Sequence, residues 1–209
     1  MQLIKTIKKT LKKPVSRDGH MHTVAQWDQE YKAGAWNFLE SSIAELGHYS
    51  AVAAYFQQFT PGGRGLDVGC GSGVLTRYLR PHGYAEYLGI DISAEAIRKA
   101  SHYADERTHF MAANVEDFIP PSTYDCIIFN ECLYYLKQPL ATVQRYGQRL
   151  ADNGYMIISM YGDNPPVQKI WQLLERQYSV TDKIQVKHVP SGTFWNIALY
   201  ERARLTAPS

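Results

Sequence analysis

The sequence predicts an α/β protein: a doubly wound, mostly parallel sheet of seven strands with helices on both faces, ending in an antiparallel hairpin. Three observations carry this expectation. Leu66-Asp67-Val68 leads into Gly69-Cys70-Gly71-Ser72-Gly73 and then into Val74-Leu75-Thr76-Arg77-Tyr78-Leu79, which reads as strand, tight turn and helix. Tyr87-Leu88-Gly89-Ile90-Asp91-Ile92-Ser93 is a second strand ending in an acid about 20 residues after the first glycine. Helix and strand patterns then alternate as far as Tyr200, and the last two strands are joined by Pro190-Ser191-Gly192.

Glycines at alternate positions let the first turn adopt positive φ and let a ligand approach the backbone. The first amides of the following helix are expected to point outward, unpaired and partially positive, toward something anionic or electron-rich. A dinucleotide turn reads G-x-G-x-x-G, and Val74 stands at its last position, which weakens a pyrophosphate reading. The acid after the second strand stands at the usual distance for accepting from two ribose hydroxyls. A lone glycine turn is also the mark of a close helix–strand crossing. Here it is followed in order by the acid after the second strand, a polar residue after the third and Asn130-Glu131 after the fourth.

At these residues the chain resembles the class I S-adenosylmethionine (SAM)-dependent methyltransferases, whose first motif is matched by Asp67 to Gly73 and whose second-strand acid is matched by Asp91. The resemblance covers roughly residues 60 to 200 as spacing and order of elements, and it implies a Rossmann-like fold with SAM as cofactor. It assigns Asp67, Gly69, Cys70, Gly71 and Gly73 to the first turn of the cofactor site and Asp91 with Ile92 to the second. In the family the loop after the third strand brackets adenine; here it carries Asn114 and Val115, with Glu116 as the neighbouring candidate. Asn114 can pair through its carbonyl or can merely close a turn.

Residues 2–13 put Leu3, Ile4, Ile7 and Leu11 on one helical face with lysines around them, before Pro14. This is either a frayed terminus or a weak contact to anionic lipid. Residues 1–22 form this basic segment and a linker, in which His20 and His22 have no third metal ligand at suitable spacing. Residues 23–59 are a helical cap rich in aromatics, divided by Gly34. In its second part Ile43, Leu46, Val52, Ala53 and Phe56 are expected to pack on the sheet, with Gly47 as a possible break. The stretch Trp27, Tyr31, Gly34, Trp36 suits either core packing or a lid, with the Tyr31 hydroxyl offered toward the methionine end of SAM.

Residues 60–200 form the cofactor-binding domain. Ser93 caps a helix from Ala94 to Tyr103, Thr108 to Met111 is the third strand, and Tyr124 to Phe129 is an apolar fourth strand of the kind buried on both faces. A helix runs from Pro139 to Leu150, a turn sits at Asp152-Asn153-Gly154, and the fifth strand is Tyr155 to Met160. A helix over Val167 to Tyr178 and strands over Val180 to Val189 and Thr193 to Tyr200 complete the domain, and residues 201–209 are a tail.

The fourth strand delivers Asn130 and Glu131 to the cleft, because ligands of doubly wound sheets lie at the carboxyl ends of the strands. The Asp/Asn-Pro-Pro-Tyr of base-modifying amino-methyltransferases is absent there, which argues against nucleobase acceptors. The string Glu131-Cys132-Leu133-Tyr134-Tyr135-Leu136 instead resembles nodulation-factor N-methyltransferases. Glu131 is the candidate general base, with His20, His22 and Tyr134 as alternates.

The formal net charge is +2, yet residues 1–17 hold six basic side chains and no acid, leaving −4 for the rest. That balance speaks against a nucleic-acid partner. Cys70, Cys126 and Cys132 form no C-x-x-C pair, which suggests a reducing, cytoplasmic setting, and no apolar run of about 18 residues is present. The reading is a SAM-dependent methyltransferase acting on O or N of a small-molecule or glycan-like acceptor, with no metal and with oligomeric state open. A nicotinamide-dependent oxidoreductase and a non-catalytic SAM-binding protein are the alternatives; no Tyr-x-x-x-Lys hydride-site pattern supports the first.

Overall fold

The computed structural model describes residues 22–201. The basic segment over residues 1–13, His20 and the tail beyond Glu201 lie outside the described residues. Seven strands form one sheet: β1 (Gly62–Val68), β2 (Tyr84–Asp91), β3 (Thr108–Ala112), β4 (Tyr124–Asn130), β5 (Leu150–Tyr161), β6 (Val180–His188) and β7 (Thr193–Glu201). Their order is β3-β2-β1-β4-β5-β7-β6, parallel except for β7, which runs antiparallel to both neighbours. The chain winds outward from β1 to β3 and then returns to the other side of β1. The carboxyl ends of β1 and β4 therefore flank a topological switch point, where doubly wound folds hold ligands.

Alternation along the central strands divides the core. Ile127 and Phe129 face one layer and Cys126 and Ile128 the other, all fully buried. Helices α1 (Val24–Lys32), α2 (Phe38–Ser41) and α3 (Ile43–Phe59) precede the sheet, and α4 (Thr76–Leu79), α5 (Ala94–Ala100), α6 (Pro139–Gly147) and α7 (Pro165–Glu175) connect its strands. On the first face α6 and α7 bury Val143, Tyr146, Ile170 and Leu174; on the other α3 buries Val52, Ala53 and Phe56. Each large apolar side chain buried this way stabilises by about 1.5–3 kcal/mol.

Four local expectations are corrected. α3 runs without a break at Gly47, where a Cβ would stand 3.0 Å from Val186; the glycine permits close helix–strand approach. Its buried face is Glu45, His48, Tyr49, Val52, Ala53 and Phe56, while Ile43 and Leu46 are exposed. The helix after the glycine turn is one turn long, giving way to a 3-10 turn over Arg80–His82 that contains Pro81. The fifth strand already starts at Leu150, and the residues read as a turn form an irregularity within it, opposite Tyr124 and Cys126. Among the described residues no helix is long and apolar enough to cross a membrane.

Gly73 and Gly83 both have positive φ (77° and 78°), but a Cβ on Gly73 would stand 3.1 Å from Ala100 and 3.2 Å from Phe110, whereas one on Gly83 meets open space. Gly83→Ala is expected to cost about 1–2 kcal/mol for backbone strain alone, and Gly73→Ala about 1–3 kcal/mol more through overpacking. Urea denaturation measures both, and equal losses would contradict the packing assigned to Gly73.

Candidate active site

The first wall of the site is the turn between β1 and α4. The Gly69 and Cys70 amides both donate to the Ile90 carbonyl, at 2.8 and 2.9 Å, and the Gly71 amide donates to Asp91 Oδ2 at 2.9 Å. The Ser93 amide donates to Asp91 Oδ1 at 2.9 Å. The Thr76 and Arg77 amides return to the Gly73 and Val74 carbonyls. The amides of the short helix itself are thus paired, while those of Ser72, Val74 and Leu75, residues that line the cavity, take no part in these bonds.

What the wall presents is acidic. Asp67 is buried, with Oδ2 accepting from the Tyr87 hydroxyl at 2.5 Å and Oδ1 buried without a hydrogen-bond partner. Burial raises its pKa to about 7; the Tyr87 bond opposes the rise and the charge of Asp91 adds to it. Burial likewise raises Asp91 to about 6 against the lowering effect of the Ser93 and Gly71 amides.

The opposite wall rises from the end of β4. Glu131 adopts a positive φ of 61°, a conformation that non-glycine residues seldom hold without compensation. Its Oε1 accepts from Ser159 Oγ at 2.8 Å and its Oε2 from the Tyr134 hydroxyl at 2.7 Å, and burial raises its pKa. Behind it α3 contributes Glu45, 3% exposed, and His48, fully buried. His48 Nε2 lies 2.7 Å from Asn130 Oδ1, its ring stacks on Trp195 at 5.1 Å and 4°, and its Nδ1 stands 3.5 Å from Glu45 Oε2 without forming a hydrogen bond.

The loop after β3 forms the third side, where Val115 is buried. Asn114 Oδ1 accepts from the Glu116 amide at 3.0 Å, its Nδ2 donates to Asp117 at 2.5 Å, and Glu116 Oε1 accepts from the Lys137 and Gln138 amides at 3.0 Å each. Asn114 therefore closes a turn while also lining the cavity.

The roof is the aromatic N-terminal segment. Thr23 and Gln26 make a capping box that starts α1. Asp28 Oδ1 accepts from Ser93 Oγ at 2.6 Å and from the Glu95 amide at 3.1 Å, and Lys99 Nζ donates to the Tyr31 carbonyl at 2.5 Å. So anchored, Trp27 meets Tyr135 edge-on at 5.0 Å and Trp36 at 5.8 Å. The Tyr31 hydroxyl lies 2.7 Å from where a Cβ on Gly71 would be.

These walls enclose a cavity of about 510 Å³, within the range of small-molecule and cofactor sites. It is lined by Tyr31, Asp67, Gly69, Cys70, Gly71, Asp91, Ile92, Asn114, Val115, Asn130 and Glu131 together. Gly73 does not line it and instead seats the turn against Ala100 and Phe110. His22 lines it with Nε2 bonded to Glu30 at 3.1 Å; Tyr134 lines it as the donor to Glu131. Glu45, Tyr49 and Trp195 also line it and were not foreseen, nor was His48 behind them. Their one signal in the sequence was the spacing 45, 48, 49, 52, which places two titratable side chains on the inward face of a helix.

A family model described as a methyltransferase domain matches residues 36–197. Among curated proteins, a ubiquinone biosynthesis O-methyltransferase of Leptothrix cholodnii is 30% identical over 150 residues, 69% of this chain and 58% of that protein. The chain spans less of the other curated relatives, 39% for a malonyl-[acyl-carrier protein] O-methyltransferase of Anoxybacillus flavithermus. Among solved structures, the N-methyltransferase NodS of Bradyrhizobium japonicum WM9 in complex with S-adenosylhomocysteine superposes with a TM-score of 0.75 at 18% identity, covering 85% of this chain and 99% of that one. A 1,6-didemethyltoxoflavin-N1-methyltransferase of Burkholderia thailandensis gives 0.68 at 17% identity and 87% coverage of each.

The acidic wall has a measurable consequence. A carboxyl raised from 3.8 to about 7 on folding stabilises the native state fully below its unfolded pKa, and that contribution is lost as pH rises through the folded value. Asp67→Asn is therefore expected to be close to neutral at pH 4 and to gain on the parent by on the order of 2–4 kcal/mol by pH 8. Thermal melts of the ligand-free pair across this window check it; a pH-independent difference would mean that Asp67 is not a strained buried acid.

Proposed function

Since the chain belongs to the class I SAM-dependent methyltransferases, we propose that it transfers the methyl group of SAM to a nitrogen or oxygen of a small-molecule or glycan-like acceptor. The observation that carries this reading is Asp67, a buried acid among the residues that line the cavity, whose Oδ1 has no hydrogen-bond partner. A buried carboxylate oxygen in that position calls for a cation, and SAM brings two, an ammonium and a sulfonium. A dinucleotide would instead bring its pyrophosphate against the carboxyls of Asp67 and Asp91.

The residues fit SAM in other respects. Asp91 keeps a lone pair on each oxygen for ribose hydroxyls after accepting from Gly71 and Ser93. Ile92 and Val115 supply apolar surface and Asn114 an amide for the adenine. When bound, SAM supplies an electrophilic methyl on a sulfonium. The protein's work is then to hold the acceptor in line and keep the site dry, and positioning of this kind can contribute about 7–11 kcal/mol. Trp27, Tyr31 and Trp36 exclude water from above. Glu131, held by Ser159 and Tyr134, presents an oriented carboxylate to the acceptor.

Asp91→Ala should weaken SAM binding by about 1.5–3 kcal/mol, roughly ten- to a hundredfold. It should also lower the melting temperature, because the Gly71 and Ser93 amides lose their acceptor. Calorimetric titration with SAM, S-adenosylhomocysteine and NAD tests the reading, with NAD expected to bind at least about tenfold more weakly. Tighter NAD than SAM, or unchanged SAM affinity in folded Asp91→Ala, would overturn it. Turnover with labelled SAM separates an enzyme from a protein that only binds the cofactor.

A further inference from the structure

We propose that the acceptor is an amine that enters as its ammonium ion, held between Glu45 and Glu131, and that Glu45, backed by His48, takes its proton. This rests on the methyltransferase reading above and names the substrate class within it.

The described residues lining the cavity include five acids, Glu45, Asp67, Asp91, Glu116 and Glu131, and one lysine, Lys137. Asp67 and Asp91 belong to the wall assigned to SAM, and Glu116 is engaged by two backbone amides beside Lys137. Glu45 and Glu131 remain, on the wall assigned to the acceptor. A carboxylate acceptor would enter against two like charges, and a hydroxyl would leave both uncompensated in a site of low dielectric. An ammonium ion compensates them, and the rings of Tyr49 and Trp195 line the same cavity.

Glu45 is set up differently from Glu131. Each oxygen of Glu131 accepts a hydrogen bond from a neutral hydroxyl, so that carboxylate is oriented. Among the described residues the ion-pair partner of Glu45 is His48 Nδ1, 3.5 Å away, and that nitrogen is fully buried without a hydrogen-bond partner. The His48 ring cannot turn to find one, because Nε2 is held by Asn130 Oδ1 at 2.7 Å and the ring plane lies on Trp195. With Nε2 as donor to that oxygen, a neutral His48 turns its Nδ1 lone pair toward the carboxylate, and the two can share one proton. An ammonium group supplies it: one N–H proton passes to Glu45, where His48 Nδ1 shares it. The freed lone pair of the amine forms the N–C bond to the methyl carbon as the C–S bond breaks, its electron pair staying on sulfur. The products are a thioether and a methylammonium ion, so charge and protons balance.

The test uses protein loaded with S-adenosylhomocysteine and two probes of one shape, benzylammonium and benzyl alcohol, titrated by calorimetry. Benzylammonium is expected to bind at least roughly tenfold more tightly than the alcohol. Glu45→Gln and Glu131→Gln should each remove most of that preference while S-adenosylhomocysteine affinity, which reports on folding, stays within about twofold. In protein labelled with 15N-histidine, the His48 Nδ1 resonance should move with benzylammonium and not with the alcohol. Equal affinity for the two probes, no uptake of benzylammonium, or a preference that survives both substitutions overturns the inference alone. Failure to bind S-adenosylhomocysteine overturns the methyltransferase reading with it.

Discussion

The site depends on one carboxylate shared between two turns. Asp91 ends β2 and accepts from the amide of Gly71, in the turn after β1, and from that of Ser93, which caps α5. Two loops that would otherwise be mobile are thereby fixed to one another at the carboxyl edge of the sheet. Parallel register makes this available: β1 and β2 pair from Gly62↔Tyr84 to Val68↔Ile90, so their ends stop side by side. The arrangement is costly in the absence of ligand, since burial raises both Asp91 and Asp67 above the ordinary carboxylate range. A cavity holding unrelieved acids is poised to bind a cation more tightly than a neutral or anionic molecule.

The roof is tied to the same turns. Ser93 donates its hydroxyl to Asp28 of α1 while its amide bonds Asp91, so a single residue joins the roof to the acid at the end of β2. Lys99 of α5 holds the Tyr31 carbonyl, and the Tyr31 hydroxyl rests over Gly71. These anchors are few and partly exposed compared with the apolar packing under α3. The roof therefore sits at the low-stability end of the molecule, where closing elements are drawn from.

What was legible in the sequence is what backbone geometry demands of residue type. Gly69, Gly71 and Gly73 all take positive φ, Asp67 and Asp91 stand at strand ends, and the apolar runs of β4 and β5 announce buried strands; all of these are local requirements. The wall built by α3 was not legible for a physical reason. Whether α3 turns Ile43 and Leu46 or Glu45 and His48 inward depends on the rotation of the helix about its axis. That rotation is fixed by Asn130 and Trp195, far along the chain. Hydrophobic periodicity favoured the apolar pair, and the rotation that won seats Tyr49, Val52, Ala53 and Phe56 in the core and gives His48 Nε2 its partner Asn130. The shortened helix after the glycine turn likewise follows from Pro81, whose effect the periodic pattern of Val74 to Leu79 concealed.

On the proposed reading cofactor and roof form one closed unit, with the aromatic segment sealing the cavity over Asp67 and Asp91. Hydrogen exchange of the segment from Trp27 to Trp36, followed by mass spectrometry with and without S-adenosylhomocysteine, tests it most directly. The expected result is strong added protection across that segment and in the turn from Gly69 to Gly71, with little change in β6 and β7. Protection of the turn with exchange in the roof indifferent to ligand would contradict it, leaving Trp27, Tyr31 and Trp36 as static core.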